Sequence, residues 1–409
     1  MTPTWRTRAG RAATLATNAV SRRLHLGSGT VAGGRVGLAV APDLLAQLAE
    51  GRPVALVSGT NGKTTTTALV AAALGGPVVT NATGSNMPAG HVAALAEGPS
   101  GVPVVLEVDE GYLPTLLTAT SPRAVVLLNL SRDQLDRTNE VRMLAGRWRA
   151  ALAGASGTTV VANADDPLVV WGAGTAPRVV WVAAGLAWHL DAVGCPSCGG
   201  RIEFADGWSC TCGFRRPDPA VTLSEADGAS SATFGDGPTV PVDLAIPGRF
   251  NRANAVMAAV AAQAMGVAPE RALAAMATVG EVAGRFSTRT VAGHSTRLML
   301  AKNPAGWVEL LELVRPGTAP VVVSINARVA DGRDPSWLWD VPFEELRGRP
   351  VVAAGERCLD LSVRLRYGEV AHTTQADPVA AVAAAGRGGD GPVEFIGNYT
   401  AFHDLYARR

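Results

Sequence analysis

The segment that most constrains the fold lies between residues 53 and 74, where an apolar run, a glycine-containing turn and an alanine-rich stretch follow one another. Residues 53–57 are apolar and rich in valine, as expected of a buried parallel strand, and residues 64–74 favour a helix. A strand that enters a helix through a glycine turn is the repeating unit of a doubly wound, mainly parallel sheet. The sequence therefore predicts an α/β fold.

The turn itself has the residue types of a phosphate-binding loop. Its backbone N–H groups and the helix N-terminus would face an anion, Lys63 would reach the phosphates of ATP, and the hydroxyl of Thr64 or Thr65 would bind Mg²⁺. Two of the 36 basic residues are lysines, and Lys63 stands where a compact ammonium suits better than a guanidinium. Val57 replaces the first glycine of the general pattern, so an ordinary strand–helix turn is the alternative. The predicted ATP-binding residues of the loop are Gly59, Thr60, Asn61, Gly62, Lys63, Thr64 and Thr65.

Length and composition indicate a globular enzyme of two or three domains. The chain has 409 residues, of which 47% are hydrophobic and 17% are charged. Its net charge of +1 gives no reason to expect a nucleic-acid partner, and no apolar run is long enough to cross a membrane. The first acidic residue is Asp43, and six arginines precede it. This basic start is interpreted as a solvated helix, with a surface that contacts anionic lipid as the alternative.

Four of the five cysteines fall within eighteen residues, in two close pairs that each have a glycine nearby. This spacing predicts tetrahedral thiolate coordination of a structural Zn²⁺ by Cys195, Cys198, Cys210 and Cys212. The second pair is C-x-C rather than the usual C-x-x-C, and a redox or disulfide pair is the alternative. Cys358 stands alone and is interpreted as a small buried residue.

Three further apolar runs end in polar residues, at Glu107, at Asn129 and at Asp165 with Asp166. In a doubly wound sheet the carboxyl ends of the strands form the ligand crevice, so these side chains are expected at the nucleotide edge. Each of them is alternatively a turn or helix-cap residue.

The order of these motifs resembles that of the Mur ligases. The motifs are Gly59-Thr-Asn-Gly-Lys63-Thr-Thr, Glu107-Val-Asp, Asn129-x3-Asp133-Gln-x-Asp136-Arg137, Asn163-x-Asp165-Asp-Pro167, Pro247-Gly-x-x-Asn251-x-x-Asn254 and Gly284-Arg285. The resemblance implies an ATP-dependent, amide-forming ligase that works through an acyl phosphate. It assigns Glu107 to Mg²⁺, Asn251 to the adenine, Asp165 and Asp166 to the nucleoside region, and Arg285 to the phosphates.

The sequence departs from the general Mur ligase pattern at two places. Gln134 stands where these ligases commonly place a metal-facing histidine, and no lysine between Lys63 and Lys302 is present to carry the carbamate that several of them use for a second Mg²⁺.

The cysteine ribbon and the segments 301–307, 331–340, 356–367 and 398–401 are similar to the MurT family, the synthetase subunits of lipid II isoglutaminyl synthase. The expected domains are an N-terminal segment, 1–48, an ATP-binding domain, 49–285, with the ribbon inserted at about 191–217, and a C-terminal α/β domain, 286–409.

The MurT resemblance implies amidation of the α-carboxylate of D-isoglutamate in the lipid II stem peptide. Ammonia would come from a GatD-type glutaminase, whose Cys-His pair Asp331 or Asp334 would complete, and Lys302 would bind the acyl phosphate or the substrate carboxylate. The implied location is the cytoplasm or the inner face of the membrane, since lipid II is membrane-linked. The alternatives are a free-standing peptide ligase of the Mur or folylpolyglutamate synthase type and, with less support, a zinc-ribbon binding module.

Overall fold

The computed structural model describes residues 4–24, 30–81, 85–133, 141–280, 285–314, 317–387 and 391–407. They form two compact units. The first comprises residues 1–130, 141–244 and 249–279, and the second comprises residues 131–140, 245–248 and 280–409. The N-terminal segment therefore belongs to the larger unit, and the short stretches 131–140 and 245–248 group with the C-terminal part of the chain.

The first unit contains a nine-stranded sheet and a separate two-stranded ribbon. Its strands are β1 (Val54–Ser58), β2 (Val79–Thr80), β3 (Val104–Val108), β4 (Ala124–Leu127), β5 (Thr159–Asn163), β6 (Val179–Ala183), β7 (Ile202–Glu203), β8 (Ser209–Cys210), β9 (Val221–Ala226), β10 (Ala229–Phe234) and β11 (Thr239–Pro241). The order across the large sheet is β11-β10-β9-β6-β5-β4-β1-β3-β2, and β7 pairs with β8. Within the large sheet, the pairings of β1 to β6 and of β6 with β9 are parallel, and the β9–β10 and β10–β11 pairings are antiparallel. The β7–β8 pairing of the ribbon is antiparallel.

Helices cover this sheet. They are α1 (Trp5–Arg23), α2 (Thr30–Val40), α3 (Leu44–Ala49), α4 (Lys63–Leu74), α5 (Pro88–Glu97), α6 (Leu113–Thr120), α7 (Val141–Leu152), α8 (Pro167–Ala173), α9 (Arg249–Ala264) and α10 (Pro269–Met276). Apolar residues of α3, α5, α6, α7 and α8 form one buried cluster with alternate strand residues such as Val54 and Leu56. Helices α4, α9 and α10 pack on one another, and α1 and α2 pack on α5. Successive side chains of β1 point to opposite faces of the sheet, and all five of them are buried. Both faces of this strand are therefore covered.

The second unit is built on a six-stranded sheet of order β12-β13-β17-β14-β15-β16. Its strands are β12 (Phe286–Val291), β13 (His294–Leu300), β14 (Val321–Ser324), β15 (Val351–Ala354), β16 (His372–Thr374) and β17 (Val393–Gly397), and its helices are α11 (Pro304–Val314), α12 (Cys358–Tyr367), α13 (Pro378–Gly386) and α14 (Tyr399–Tyr406). Every pairing except β12–β13 is parallel.

The predicted fold class is confirmed in both units, since each is an α/β unit with a mainly parallel sheet. The strand and helix predicted around the glycine turn are β1 and α4. Within the described ranges, no helix combines the length and the apolar character that crossing a membrane requires.

Candidate nucleotide and metal sites

The predicted phosphate loop connects β1 to α4, and its two glycines have backbone conformations that side chains rarely adopt. Gly59 has φ of +141° and Gly62 has φ of +84°. A Cβ atom on Gly59 would lie 2.9 Å from the Cβ of Leu128, and one on Gly62 would lie 2.9 Å from the Nδ2 of Asn254. Val57, the departure from the general motif, lies inside β1 and pairs with both neighbouring strands. The turn therefore begins later than the general pattern implies, and Val57 has no need of a glycine's conformational freedom.

Asn129, which follows β4, holds the loop in shape. Its backbone carbonyl accepts a hydrogen bond from the N–H of Thr60 (3.0 Å), and its Oδ1 accepts one from the N–H of Asn61 (2.8 Å). Its Nδ2 donates to the carbonyl oxygen of Asn61 (3.1 Å). The parallel pairing of β1 with β4 places Asn129 beside the loop, so this strand-end residue positions the phosphate loop.

Lys63 is buried, and its ammonium group is bonded within the site. Its Nζ donates to the carbonyl oxygens of Gly59 (2.6 Å) and Thr60 (3.2 Å) and lies 2.9 Å from Oε1 of Glu110. Burial raises the pKa of Glu110 above its ordinary value, while the Lys63 ammonium acts in the opposite direction. Sequence reasoning gave Glu110 no role. The one signal for it was its position just after β3, where ligand-facing residues are expected.

Thr64 and Glu107 lie together at the start of α4 and in β3. The hydroxyl of Thr64 donates to Oε2 of Glu107 at 2.8 Å, and Glu107 is buried. A hydroxyl and a carboxylate in contact at the end of a phosphate loop are the oxygen donors that Mg²⁺ prefers in nucleotide sites. These two residues therefore fit the predicted magnesium site.

Two residues that sequence reasoning missed fix the backbone of Glu107. Asn81 exchanges two hydrogen bonds of 2.8 Å with it, accepting from its N–H and donating to its carbonyl oxygen. The same carbonyl oxygen accepts a 2.8 Å hydrogen bond from Nε2 of His91. Burial lowers the pKa of His91, which favours the neutral ring with its proton on Nε2. Both partners are distant in sequence, so no local pattern revealed them.

Asp165 and Asp166 are both engaged by groups of this protein. Oδ1 of Asp166 accepts from the N–H groups of Leu168 (2.8 Å) and Val169 (3.1 Å), so Asp166 caps α8, and its Oδ2 accepts from the N–H of Leu130 (2.8 Å). Burial raises the pKa of Asp166 to about 6. Asp166 therefore has a local structural role, which sequence analysis treated as its alternative, and its contact with the nucleoside stays a prediction.

Asp165 connects the end of β5 to two later segments. Its Oδ2 accepts from the N–H of Gly185 (2.6 Å), and its Oδ1 forms an ion pair with Nε of Arg216 (2.6 Å). Asn251 lies buried in the first turn of α9, in the same unit, whereas Arg285 directly precedes β12 of the second unit. The roles predicted for these three residues toward ATP stay predictions.

The four clustered cysteines form a site that fits a metal ion. The Sγ atoms of Cys195 and Cys212 lie 3.7 Å apart, those of Cys198 and Cys210 lie 3.6 Å apart, and all four lie within 4.8 Å of one another. Tetrahedral Zn²⁺ with Zn–S bonds of about 2.3 Å requires S···S separations of about 3.8 Å. All five cysteines are free thiols, and these distances are far longer than a disulfide bond of about 2.05 Å. The geometry favours zinc over the disulfide alternative.

The ribbon is attached to the large sheet at two points. The indole Nε1 of Trp208 donates to the carbonyl oxygen of Ala164 (3.0 Å), and Arg216 pairs with Asp165. Its own core is small and consists of Ile202, Trp208, Cys195 and Cys210 against Val170 of α8. A core of this size is too small to hold a ribbon without a further crosslink, so a structural metal is physically reasonable.

In the second unit, the two candidate aspartates differ in environment. Asp331 is buried, and its oxygens accept from the N–H (2.8 Å) and hydroxyl (2.5 Å) of Thr400 and from the N–H of Arg328 (3.2 Å). Asp334 is exposed and accepts a hydrogen bond from the N–H of Ser336 (2.9 Å), which lowers the pKa of Asp334. Asp331 thus fastens the start of α14, and Asp334 is accessible from solvent.

Lys302, the second lysine, follows β13 and pairs with Asp133. Its Nζ lies 3.1 Å from Oδ2 of Asp133, and the Nδ2 of Asn303 donates to Oδ1 of the same carboxylate at 3.1 Å. The lysine is therefore not an isolated surface charge. Gln134, Asp136 and Arg137 of the same motif lie outside the described residues, as does Gly284.

Two family models match the chain. Residues 57–184 match the Mur ligase middle domain, and residues 300–402 match the MurT ligase C-terminal domain. A protein of Streptococcus pneumoniae named lipid II isoglutaminyl synthase (glutamine-hydrolyzing) subunit MurT is 30% identical over 374 residues, which cover 84% of this chain and 83% of that protein. The chain belongs to the MurT family. The MurT protein of Staphylococcus aureus strain COL is 29% identical over 380 residues, and this alignment covers 87% of this chain and 85% of that protein.

Solved structures support the Mur ligase fold of this MurT family member. MurF from Acinetobacter baumannii has a TM-score of 0.67 at 14% identity, over 91% of this chain and 81% of that chain. A pseudomurein peptide ligase type C from Methanothermus fervidus has a TM-score of 0.66 at 19% identity, over 87% of this chain and 78% of that chain. The match to the MurT C-terminal model also explains why segments such as 331–340 departed from the general Mur pattern.

Proposed function

We propose that this chain is the ATP-dependent ligase subunit of a lipid II isoglutaminyl synthase. It would convert the α-carboxylate of D-isoglutamate in the lipid II stem peptide to the amide of D-isoglutamine, with ammonia from a GatD-type glutaminase. The observation that carries the proposal is a phosphate loop already shaped by Asn129, with Lys63 and the Thr64–Glu107 pair beside it, in a chain of the MurT family.

The first chemical step is transfer of the γ-phosphoryl group of ATP to the substrate carboxylate, which gives an acyl phosphate and ADP. The N–H groups of the loop and the start of α4 would bind the phosphates, and the Lys63 ammonium would offset their negative charge. Lys63 would leave some of its present partners, Gly59, Thr60 and Glu110, as the phosphates replace them. Magnesium, held by Thr64 and Glu107, would offset charge on the transferring phosphoryl group.

The second step is attack of neutral ammonia on the acyl phosphate, which forms the amide and releases phosphate and a proton. Water competes for the same intermediate, so ammonia has to arrive at a site sheltered from solvent. Lys302 would bind the acyl phosphate or the carboxylate from which it forms. The Lys302 ammonium lies 3.1 Å from the Asp133 carboxylate, so the substrate oxyanion would replace that carboxylate, as the phosphates would replace the partners of Lys63.

Ammonia supply is assigned to a partner subunit, and the environment of Asp334 supports its role at that contact. An acidic residue that orients the histidine of a Cys-His pair has to be ionised and reachable from the partner. Asp334 meets both conditions, because it is exposed and its pKa is lowered by the Ser336 N–H. Asp331 is buried and therefore not reachable from a partner, and Thr400 and Arg328 already occupy its oxygens.

An exposed apolar patch in the same unit as Asp334 supports docking of a protein partner on this unit. Leu359, Val363 and Tyr367 of α12 are 71%, 50% and 74% exposed, and their spacing places them on one face of the helix. Trp339, which is 54% exposed, contacts Tyr367 with ring centroids 5.3 Å apart. Clusters of exposed aromatic and aliphatic side chains are typical of protein interfaces.

The test is amidation of lipid II by the purified chain, with ATP and either ammonium chloride or glutamine plus the glutaminase subunit. We expect amide formation from ammonia by this chain alone, and from glutamine only with the partner. Asp334→Asn should abolish glutamine-dependent amidation while leaving ammonia-dependent amidation intact. Ligation of a free amino acid in place of ammonia would refute the proposed function, and equal loss with both nitrogen sources would refute the role of Asp334.

A further inference from the structure

The outer surface of the first two helices has an unusual composition. Helix α2 turns five residues to solvent, four of them apolar, and they are Ala32, Arg35, Val36, Ala39 and Val40. Helix α1 exposes a similar mixture of small, apolar and basic residues along its length, including Trp5, Arg8, Ala12, Ala16, Ala19, Val20 and Arg23. We call these twelve residues the α1–α2 outer surface. No acidic residue precedes Asp43, so this surface contains no carboxylate.

The packing of the two helices decides which side faces out. Cβ atoms placed on Gly33 and Gly37 would lie 2.1 Å from Oδ1 of Asn18 and 2.0 Å from Oγ1 of Thr14, so that side of α2 meets α1 at close range. A Cβ on Gly34 would lie 1.8 Å from the carbonyl oxygen of Ala89, so the adjacent side of α2 meets α5. The exposed valines and alanines of α2 lie on the side of this helix opposite to these two contacts.

Helix α1 is fixed on α5 in a similar way, through polar side chains at its edge. Arg11 donates to the carbonyl oxygen of Ala96 (3.0 Å), and Arg22 forms an ion pair with Glu97 (2.8 Å). Glu97 also accepts from Asn18 (2.9 Å). The Glu97 carboxylate at this edge is thus already paired, and among the described residues no ion pair involves Arg8, Arg23 or Arg35 of the outer surface.

We propose that the α1–α2 outer surface binds the surface of an anionic phospholipid bilayer. Arginines around exposed valines, alanines and a 72%-exposed tryptophan are the side chains of an interfacial helix, whose apolar atoms enter the headgroup region while the guanidinium groups contact lipid phosphates. A second copy of the chain is a poorer occupant, because two acid-free basic surfaces repel each other. Nucleic acid is also a poorer occupant, because valine and alanine in place of polar residues give a phosphate backbone few donors.

The biological reason for this surface rests on the proposed function, because lipid II is held in the membrane by its lipid. A subunit that sits on the bilayer meets its substrate by diffusion in two dimensions. Binding of the surface to a bilayer is a physical property that does not require catalysis, so it is tested with vesicles that contain no lipid II.

The test is flotation of the full chain with vesicles of phosphatidylcholine alone or with added phosphatidylglycerol, at low and high salt. We expect binding to the anionic vesicles that weakens as salt is raised. Because each arginine near an anionic bilayer strengthens binding by roughly a factor of five, loss of three arginines should weaken binding about a hundredfold. The triple variant Arg8→Glu, Arg23→Glu, Arg35→Glu should therefore bind at least about a hundredfold more weakly, since its glutamates also repel the bilayer. Val36→Ser with Val40→Ser should weaken binding at unchanged charge.

The matched control changes three exposed arginines elsewhere in the same unit to glutamate. They are Arg123, Arg178 and Arg271. It has the same net charge as the triple variant and should bind like the wild type. Circular dichroism and thermal unfolding verify that all variants are folded. Equal weakening by both sets, no binding of the wild type to anionic vesicles, a dimer held together by this surface in light scattering, or binding of nucleic acid in place of vesicles would each overturn the proposal.

Activity assays separate this proposal from the proposed function. The triple variant should amidate a water-soluble stem-peptide substrate like the wild type, and lipid II in anionic vesicles more slowly. A chain that amidates lipid II but does not bind vesicles overturns the membrane surface alone. A chain that binds vesicles but amidates neither substrate supports the membrane surface and overturns the proposed function.

Discussion

The four-cysteine ribbon leads to the sharpest prediction, which is that Cys198→Ser weakens zinc binding about a hundredfold without unfolding the large sheet. The Sγ pairs at 3.6 and 3.7 Å already have nearly the separations of tetrahedral Zn²⁺, so binding requires almost no movement of the chain. Structural zinc is worth about 10–16 kcal/mol, or about 3 kcal/mol for each of four thiolates. Loss of one thiolate should therefore weaken zinc binding by about a hundredfold.

The assay is release of zinc to a competing chelator, followed by metal analysis of the protein. The wild type should carry one zinc per chain. Cys198→Ser should lose its zinc at a free-zinc concentration about a hundredfold higher than the wild type does. Trp208 reports the structural consequence, because its buried indole should become hydrated and its emission should shift to longer wavelength. Most of the far-UV circular dichroism should remain, since the nine-stranded sheet has its own core.

The matched control is Cys358→Ser, which removes a buried thiol of the second unit. It should retain zinc like the wild type. Unchanged zinc retention in Cys198→Ser, or a wild-type chain that takes up no zinc when zinc is supplied, would refute the assignment of the four cysteines to a metal.

Three further predictions concern the ATP site and the acidic residues. Lys63→Arg should lower ATP-dependent amidation by about a hundredfold in steady-state kinetics, because a planar guanidinium does not fit among Gly59, Thr60 and Glu110; full activity would contradict the role of Lys63. Asp331→Ala should lower the free energy of unfolding in urea by about 1–2 kcal/mol, because it leaves the half-buried Thr400 donors without their present partner, whereas Asp334→Ala should change it little. Asp166 has a folded pKa raised from 3.8 to about 6, so its contribution to stability is present below pH 3.8 and is lost as the pH rises through 6. The stability of the wild type relative to Asp166→Asn should therefore fall by roughly 3 kcal/mol across this range in urea unfolding, at about 1.4 kcal/mol per pH unit, and a pH-independent difference would show that burial does not raise this pKa.

Local spacing explains why some features could be predicted from the sequence. The strand, glycine turn and helix around Lys63 are contiguous, and the backbone conformations of Gly59 and Gly62 are requirements of the turn itself. The cysteine pairs are equally local, because two tight turns of one ribbon bring all four thiols together. Parallel strands place their carboxyl ends at one edge, so Glu107 and Asn129 could be expected beside the loop.

The electrostatic partners could not be predicted in this way. Glu110 lies 47 residues from the lysine that it pairs with, and His91 lies 16 residues from Glu107 with nothing in its local sequence to mark it. Asp165 and Asp166 were expected at the nucleotide edge as a pair, but the sequence could not show that one caps α8 and the other anchors the ribbon. Such roles depend on which backbone donors the fold brings within about 3 Å.

The sequence by itself thus determined the α/β class, the phosphate loop and the cysteine site, because each depends on residues that are neighbours in the chain. Tertiary structure decided between residues and helix faces that the sequence could not distinguish. It buried Asp331 against Thr400 and left Asp334 in solvent, and it turned the acid-free faces of α1 and α2 away from α5. The physical reason is that burial and long-range hydrogen bonding depend on how separate elements pack, and local spacing does not specify that packing.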